Sequence, residues 1–284
     1  MEKTMEILVK NEETRLYTVA YPNPGKETVI LLHGGPGVPD GLGPVAEFLQ
    51  PHFQVLTFHQ RGTLSSPCYN SNYSIAALLS DIDKVAERFK AERFHLLGHS
   101  WGGLYAQLYA YQNAHRILSL FLCSPASGTG KQWAQMMKEA AHYNKNKCAG
   151  NEWMNMVKDA ILGFLGKDEA YERLFTQFCN NCNKGYNVST PIPVMVDHIS
   201  AKAVNRTRRA ILKEPEQDPM IDQGFPFTIT YGDDDIYGES KKYVQERYPY
   251  ANYPTIARSS HFPWLQNEQD FYRILSTHFG LLPQ

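Results

Sequence analysis

No stretch of this 284-residue chain approaches the ~20 consecutive apolar residues that a membrane helix needs. The opening segment MEKTMEILVKNEETRLYTVAY is broken by charge throughout and holds no apolar run of signal-peptide length. A basic surplus is also missing. Lys and Arg number 28 against 29 Asp and Glu, a formal charge of -1, so nothing is set aside to neutralise a phosphate backbone. Cysteine is scarce: Cys68, Cys123, Cys148, Cys179 and Cys182 are odd in number and irregularly spaced, unlike a secreted disulfide framework. These absences predict a cytoplasmic protein with neither a nucleic-acid nor a membrane partner.

Two cofactor patterns are incomplete. Cys179-Asn180-Asn181-Cys182 has no second pair and no nearby His, so it lacks zinc spacing and is expected to be two buried thiols. Gly41-Leu42-Gly43-Pro44-Val45-Ala46 fits a dinucleotide fingerprint formally, but it lies beyond the end of its strand with no acidic residue ~20 positions on. No metal and no organic cofactor are expected.

What is present suffices for a sizeable core: hydrophobic residues are 43% of the chain and charged residues 20%. Continuous apolar runs at Thr28–His33, Gln54–Phe58, Phe94–Leu97 and Ile117–Cys123 have the texture of strands covered on both faces. Two earlier strands are predicted near Glu6–Lys10 and Arg15–Tyr21. Between the buried runs, Ile75–Phe89 and Leu104–Tyr111 repeat apolar residues at three- and four-residue spacing, as helices packed on a sheet do. From about Ala126 to Gln223 the pattern is helical and rich in Met, Trp, Phe and Tyr. Strand texture returns at Pro226–Tyr231, with a helix near Ser240–Arg247, a strand near Tyr253–Ala257 and a last helix near Gln266–Phe279. The expected architecture is therefore α/β: a mostly parallel sheet flanked by helices, residues 1–125 and 224–284, interrupted by a helical cap at 126–223.

The sharpest motif is Gly98-His99-Ser100-Trp101-Gly102, placed between an apolar strand and a helix. A tight strand-to-helix turn presents its serine at a helix N-terminus, where free amides can meet an oxyanion. A serine hydroxyl needs an adjacent base, itself oriented by an acid. Downstream, a predicted strand ends in Gly232-Asp233-Asp234-Asp235, and His261 follows in Ser259-Ser260-His261-Phe262-Pro263-Trp264. Such groups gather at the carboxyl ends of parallel strands. His261 is the predicted base. Asp235 is the preferred acid, because the loop must travel past the strand before turning inward, and Asp233 is the runner-up. The loop His33-Gly34-Gly35-Pro36-Gly37 should supply a second oxyanion donor, the Gly35 amide, to pair with that of Trp101. His33 is expected to brace this loop, and His278 to be scaffold.

HGGPG, GHSWGG and SSHFPW, in that order, resemble the α/β-hydrolase superfamily and within it the proline iminopeptidase group. The group's D-Q-R-G appears as His59-Gln60-Arg61-Gly62. The resemblance implies a serine hydrolase with a helical cap, Ser100, Asp235 and His261 as triad, and Gly35 and Trp101 as oxyanion donors. It also implies acidic residues that read a substrate's free amino group. Here Ile236 stands where some members place a glutamate, His59 replaces the acidic residue of D-Q-R-G, and the group's late cap segment has only Val204-Asn205-Arg206-Thr207 as its nearest match. Glu139, Glu152, Glu169 and Glu172 could substitute from the cap, although a cap glutamate is usually on a solvated face. The expected activity is release of an N-terminal residue such as proline from a small or short peptide substrate. The alternatives are esterase or lactonase action on small hydrophobic acyl groups, and a catalytically silent binding protein of the same fold.

Overall fold

The computed structural model describes residues 3–38, 41–188, 198–221 and 224–281. Strands β1 (Met5–Asn11) and β2 (Thr14–Tyr21) form an antiparallel pair at one edge, and β2 runs antiparallel to β4 (Gln54–Phe58). The rest of the eight-stranded sheet is parallel, in the order β1-β2-β4-β3-β5-β6-β7-β8. It comprises β3 (Thr28–Leu32), β5 (Phe94–His99), β6 (Ile117–Cys123), β7 (Phe227–Gly232) and the short β8 (Thr255–Ile256). Every residue of β3, β5 and β7 is buried, which is why these strands read as continuous rather than alternating apolar runs.

Helices α1 (Gly43–Leu49), α2 (Ile75–Arg88) and α3 (Trp101–Gln112) follow β3, β4 and β5 in turn. Ser74 caps α2 by accepting a hydrogen bond from the Ala77 amide. Among the described residues, four helices stand between β6 and β7: α4 (Gly130–Lys147), α5 (Gly150–Phe164), α6 (Asp168–Asn183) and α7 (Ala201–Lys213). Helix α8 (Lys241–Arg247) joins β7 to β8.

The chain's end departs from expectation. The predicted strand near Tyr253–Ala257 shrinks to two residues, and the last helix is two, α9 (Pro263–Gln266) and α10 (Glu268–Phe279). Asn267 makes the break: it leaves helical geometry and its side chain accepts from the Asp270 amide, so it caps a new helix.

One buried pair ties the front of the sheet to its flank. The Arg61 guanidinium donates to both oxygens of Asp81 on α2, at 2.7 and 2.6 Å, with both side chains fully buried. Asn11 of β1 donates to the same carboxylate.

Candidate functional site

Four neighbouring parallel strands, β3, β5, β6 and β7, end on the same side of the sheet, and each feeds a loop into one site. After β5 the chain turns directly into α3, three residues earlier than the helical spacing suggested. Ser100 sits in the turn with φ 55° and ψ -120°, a strained conformation for a side-chain-bearing residue. Its amide donates to the Cys123 carbonyl, and its own carbonyl accepts from Gly103, Leu104 and Ala126. The turn closes so tightly that a Cβ on Gly98 would lie 2.3 Å from the Gly102 carbonyl oxygen. Only glycine fits there.

Ser100 Oγ lies 3.0 Å from His261 Nε2, and His261 Nδ1 lies 3.3 Å from Asp235 Oδ1. All three come from different strand ends, and His261 and Asp235 are buried. Asp235 is further held by the Ser124 hydroxyl, which donates to Oδ2 at 2.5 Å, and by the Tyr237 amide. The two neighbouring aspartates point elsewhere. Asp233 accepts from the backbone of Arg258 and Ser259, clasping the loop that leads to His261. Burial works against its charge, but these amides outweigh it and hold its pKa below the usual range. Asp234 is paired with Lys147 of α4 at 2.7 Å.

Three further side chains at the site carried no signal of their own in the sequence. The Tyr237 hydroxyl stands 3.3 Å from Ser100 Oγ, and its ring meets His261 edge-on at 5.3 Å. Burial raises the Tyr237 pKa, so the phenol stays protonated. His99, inside the elbow motif, donates from Nε2 to the His261 carbonyl oxygen at 2.9 Å. Burial, with the His261 charge second, pushes the His99 pKa well down and keeps it neutral. Ser124 follows β6, and the rule that sites collect at strand ends was the one available hint of it.

The oxyanion candidates are placed as follows. Trp101 is the first residue of α3, so its amide has no acceptor within the helix. Gly35 lies in the loop after β3, with φ 127°, and lines the same cavity as Ser100. Gln60 braces the two elements together: its side chain donates to the His33 carbonyl and accepts from the Trp101 indole, both at 2.8 Å. His33 Nε2 accepts from the Gln60 amide. His278 is half-buried between Ser119 and Thr228, away from the site.

A cavity of about 600 Å³ opens over Ser100 and His261. Its upper wall comes from the helices between β6 and β7, including Trp133, Met136, Trp153, Phe175 and Phe178. Among the described residues no carboxylate lines it. That corrects the expectation for the four glutamates. Glu139 is spent on the Gly238 and Ser240 amides, and Glu152 accepts from the Ala149 amide at the start of α5. Glu169 is exposed, and Glu172 lines no part of the cavity. Helix phase, not helix membership, decides which side chains face inward. Cys179 and Cys182 lie buried on α6 as free thiols, and burial lifts the Cys179 pKa to about 12. Among the described residues no cluster of three or more His, Cys, Asp or Glu is placed to hold a metal, and no helix is long and apolar enough to cross a membrane.

Residues 27–147 match a family model described as the alpha/beta hydrolase fold. The chain has the α/β-hydrolase fold. The chain is 24% identical over 267 residues to a proline iminopeptidase of Lactobacillus delbrueckii subsp. lactis, covering 87% of this chain and 88% of that protein. It is therefore proline iminopeptidase-like in sequence. Solved structures share its fold at lower identity. A membrane phospholipase A described as a bacterial virulence factor superposes with a TM-score of 0.70 at 16% identity, covering 98% of this chain and 86% of that one. An enol-lactonase from Burkholderia xenovorans LB400 does so at 0.65 and 19%, covering 95% and 98%.

Proposed function

We propose that this hydrolase cleaves an ester of an apolar acyl group through an acyl-enzyme on Ser100, beneath a cap formed by residues 126–223. The observation that carries the reading is the 3.0 Å approach of Ser100 Oγ to His261 Nε2 at the floor of an apolar cavity with no carboxylate among its described lining residues. His261 takes the proton as Oγ attacks the carbonyl carbon, then gives it to the departing alcohol. Asp235 holds the imidazole tautomer that leaves Nε2 free to accept. The Gly35 and Trp101 amides stabilise the oxyanion, and a water activated by His261 then releases the acid and regenerates Ser100.

Similarity to proline iminopeptidases favours a second reading, release of an N-terminal residue. That activity must neutralise a substrate ammonium, and burying an unpaired one is costly. The described wall of this cavity offers no carboxylate for it, so the ester reading is preferred.

The test is a paired assay with Ser100→Ala as control. One arm uses free-amino prolyl and alanyl anilides beside their N-acetylated forms, and the other short to medium acyl esters and lactones. Ester or lactone cleavage that needs Ser100, with anilides untouched, is expected. Cleavage of free-amino anilides alone would establish the aminopeptidase instead. No turnover, together with no labelling of Ser100 by a fluorophosphonate, would establish a silent binding protein.

A further inference from the structure

Helix α6 forms one wall of the cavity and presents Tyr171, Phe175 and Phe178 to it in succession. Phe178 meets the His261 ring edge-on at 5.8 Å, Phe175 meets Phe178 at 6.2 Å, and Tyr171 meets Phe175 at 6.3 Å. The row therefore measures distance from the reacting centre. Phe178 and Tyr171 are two turns apart, about 10 Å along the helix.

At the far end of that row stands Arg208 of α7, half-buried and lining the cavity beside the Tyr171 hydroxyl. That hydroxyl donates to Asn205 Oδ1 at 2.7 Å and stands within hydrogen-bond reach of the guanidinium itself, which has further donors to offer. Arg208 is the one permanently charged side chain among the described residues that line the cavity, and no described carboxylate lines the wall to offset it. A guanidinium facing an apolar chamber is poorly solvated, and its planar fork suits a bidentate anion. A carboxylate's single charge would balance it. A phosphate monoester brings about -1.5 to -2 and would leave charge unmet in an apolar wall.

We propose that Arg208 binds a carboxylate at the far end of the acyl group, so that the substrate is an apolar ester bearing a terminal acid about 10 Å from its reacting carbonyl. The proposal rests on the Ser100 acyl-transfer reading for its direction along the cavity. It explains why a chamber so apolar keeps one arginine at the end remote from Ser100.

The experiment compares the p-nitrophenyl monoester of suberic acid with its neutral counterpart, p-nitrophenyl methyl suberate, in the parent protein, Arg208→Met and Arg208→Lys. The parent is expected to favour the acid by about tenfold or more in kcat/KM, through KM, as a charge-assisted pair provides. Arg208→Met should bring the ratio to about one, and Arg208→Lys should retain part of it. A parent ratio of one or less, or a ratio unchanged in Arg208→Met, overturns the proposal.

A binding arm separates this from failure of the chemistry. Trp133 and Trp153 line the cavity, so their fluorescence can follow monomethyl suberate against dimethyl suberate in Ser100→Ala. Tighter binding of the acid by about tenfold, lost when Arg208→Met is added, supports the anion site even where no ester is turned over. Equal binding of the two overturns it.

Discussion

Replacing Gly102 by alanine tests the link between the elbow's packing and its chemistry. A Cβ there would lie 2.0 Å from the Leu32 carbonyl oxygen and 2.5 Å from that of His33. Both obstacles are backbone, at the end of β3, so no rotamer change relieves the clash. Either α3 or the end of β3 must retreat by about 1 Å to restore ordinary contact. Overpacking of this kind costs about 1–3 kcal/mol. At about 2–4 °C per kcal/mol, the melting temperature should fall by roughly 2–12 °C. The same retreat parts Ser100 from the loop carrying Gly35, and a 1 Å misplacement costs about 10²-fold in rate. The assays are thermal unfolding by circular dichroism and the rate of Ser100 labelling by a fluorophosphonate, which needs no known substrate. Gly43→Ala is the control: nothing lies within 4 Å of its Cβ at the start of α1, and it should be neutral or slightly stabilising. A Gly102→Ala protein that melts and labels like the parent would refute the reasoning, because β3 and α3 would then have slack the structure denies them.

Asp235→Asn should lower kcat about 10⁴-fold while Asp233→Asn, which loosens only the loop clasp, should retain most of it; the reverse order would reassign the acid. Asp81→Ala strands the buried Arg61 charge and should cost about 3–5 kcal/mol in urea unfolding, and a loss under about 1 kcal/mol would mean the pair is not load sharing. Burial lowers the pKa values of His95, His99 and His278, the last to about 3, so these rings are neutral when folded and take up protons on unfolding below pH 6.5. Their contribution is fully present above that pH and is lost as the pH falls toward about 3 for His278, at up to ~1.4 kcal/mol per pH unit for each group. Urea midpoints measured between pH 7.5 and 5 should therefore decline, less steeply in His278→Gln; coincident slopes would show that His278 is not held neutral.

The alternation of buried runs with helical spacing was legible because strand and helix each impose a period on the chain. The elbow was legible because close backbone approach at Gly98 and Gly102 leaves no room for any other residue. Ser100 and His261 could be singled out in advance since each sits in a short motif at a strand end. The choice among Asp233, Asp234 and Asp235 was not a matter of residue type. The turn after β7 sends one carboxylate to His261, one to the Arg258–Ser259 backbone and one to Lys147, and three like residues in a row carry no record of that.

Ser124, His99 and Tyr237 were silent for a related reason, since their contacts with Asp235, His261 and Ser100 each span more than 100 positions and serine, histidine and tyrosine are common in any context. The helical insertion shows the division most clearly. Its sequence announced helices rich in aromatic residues and supplied six glutamates and four arginines. Which of them faces the cavity depends on the rotation of each helix about its axis, set by packing against neighbours distant in the chain. The sequence by itself determined the sheet, the elbow and the order of the site's parts, because those rest on local backbone sterics and hydrophobic period. Only the tertiary structure decided that the glutamates turn away and Arg208 turns in, because facing is a property of packed helices.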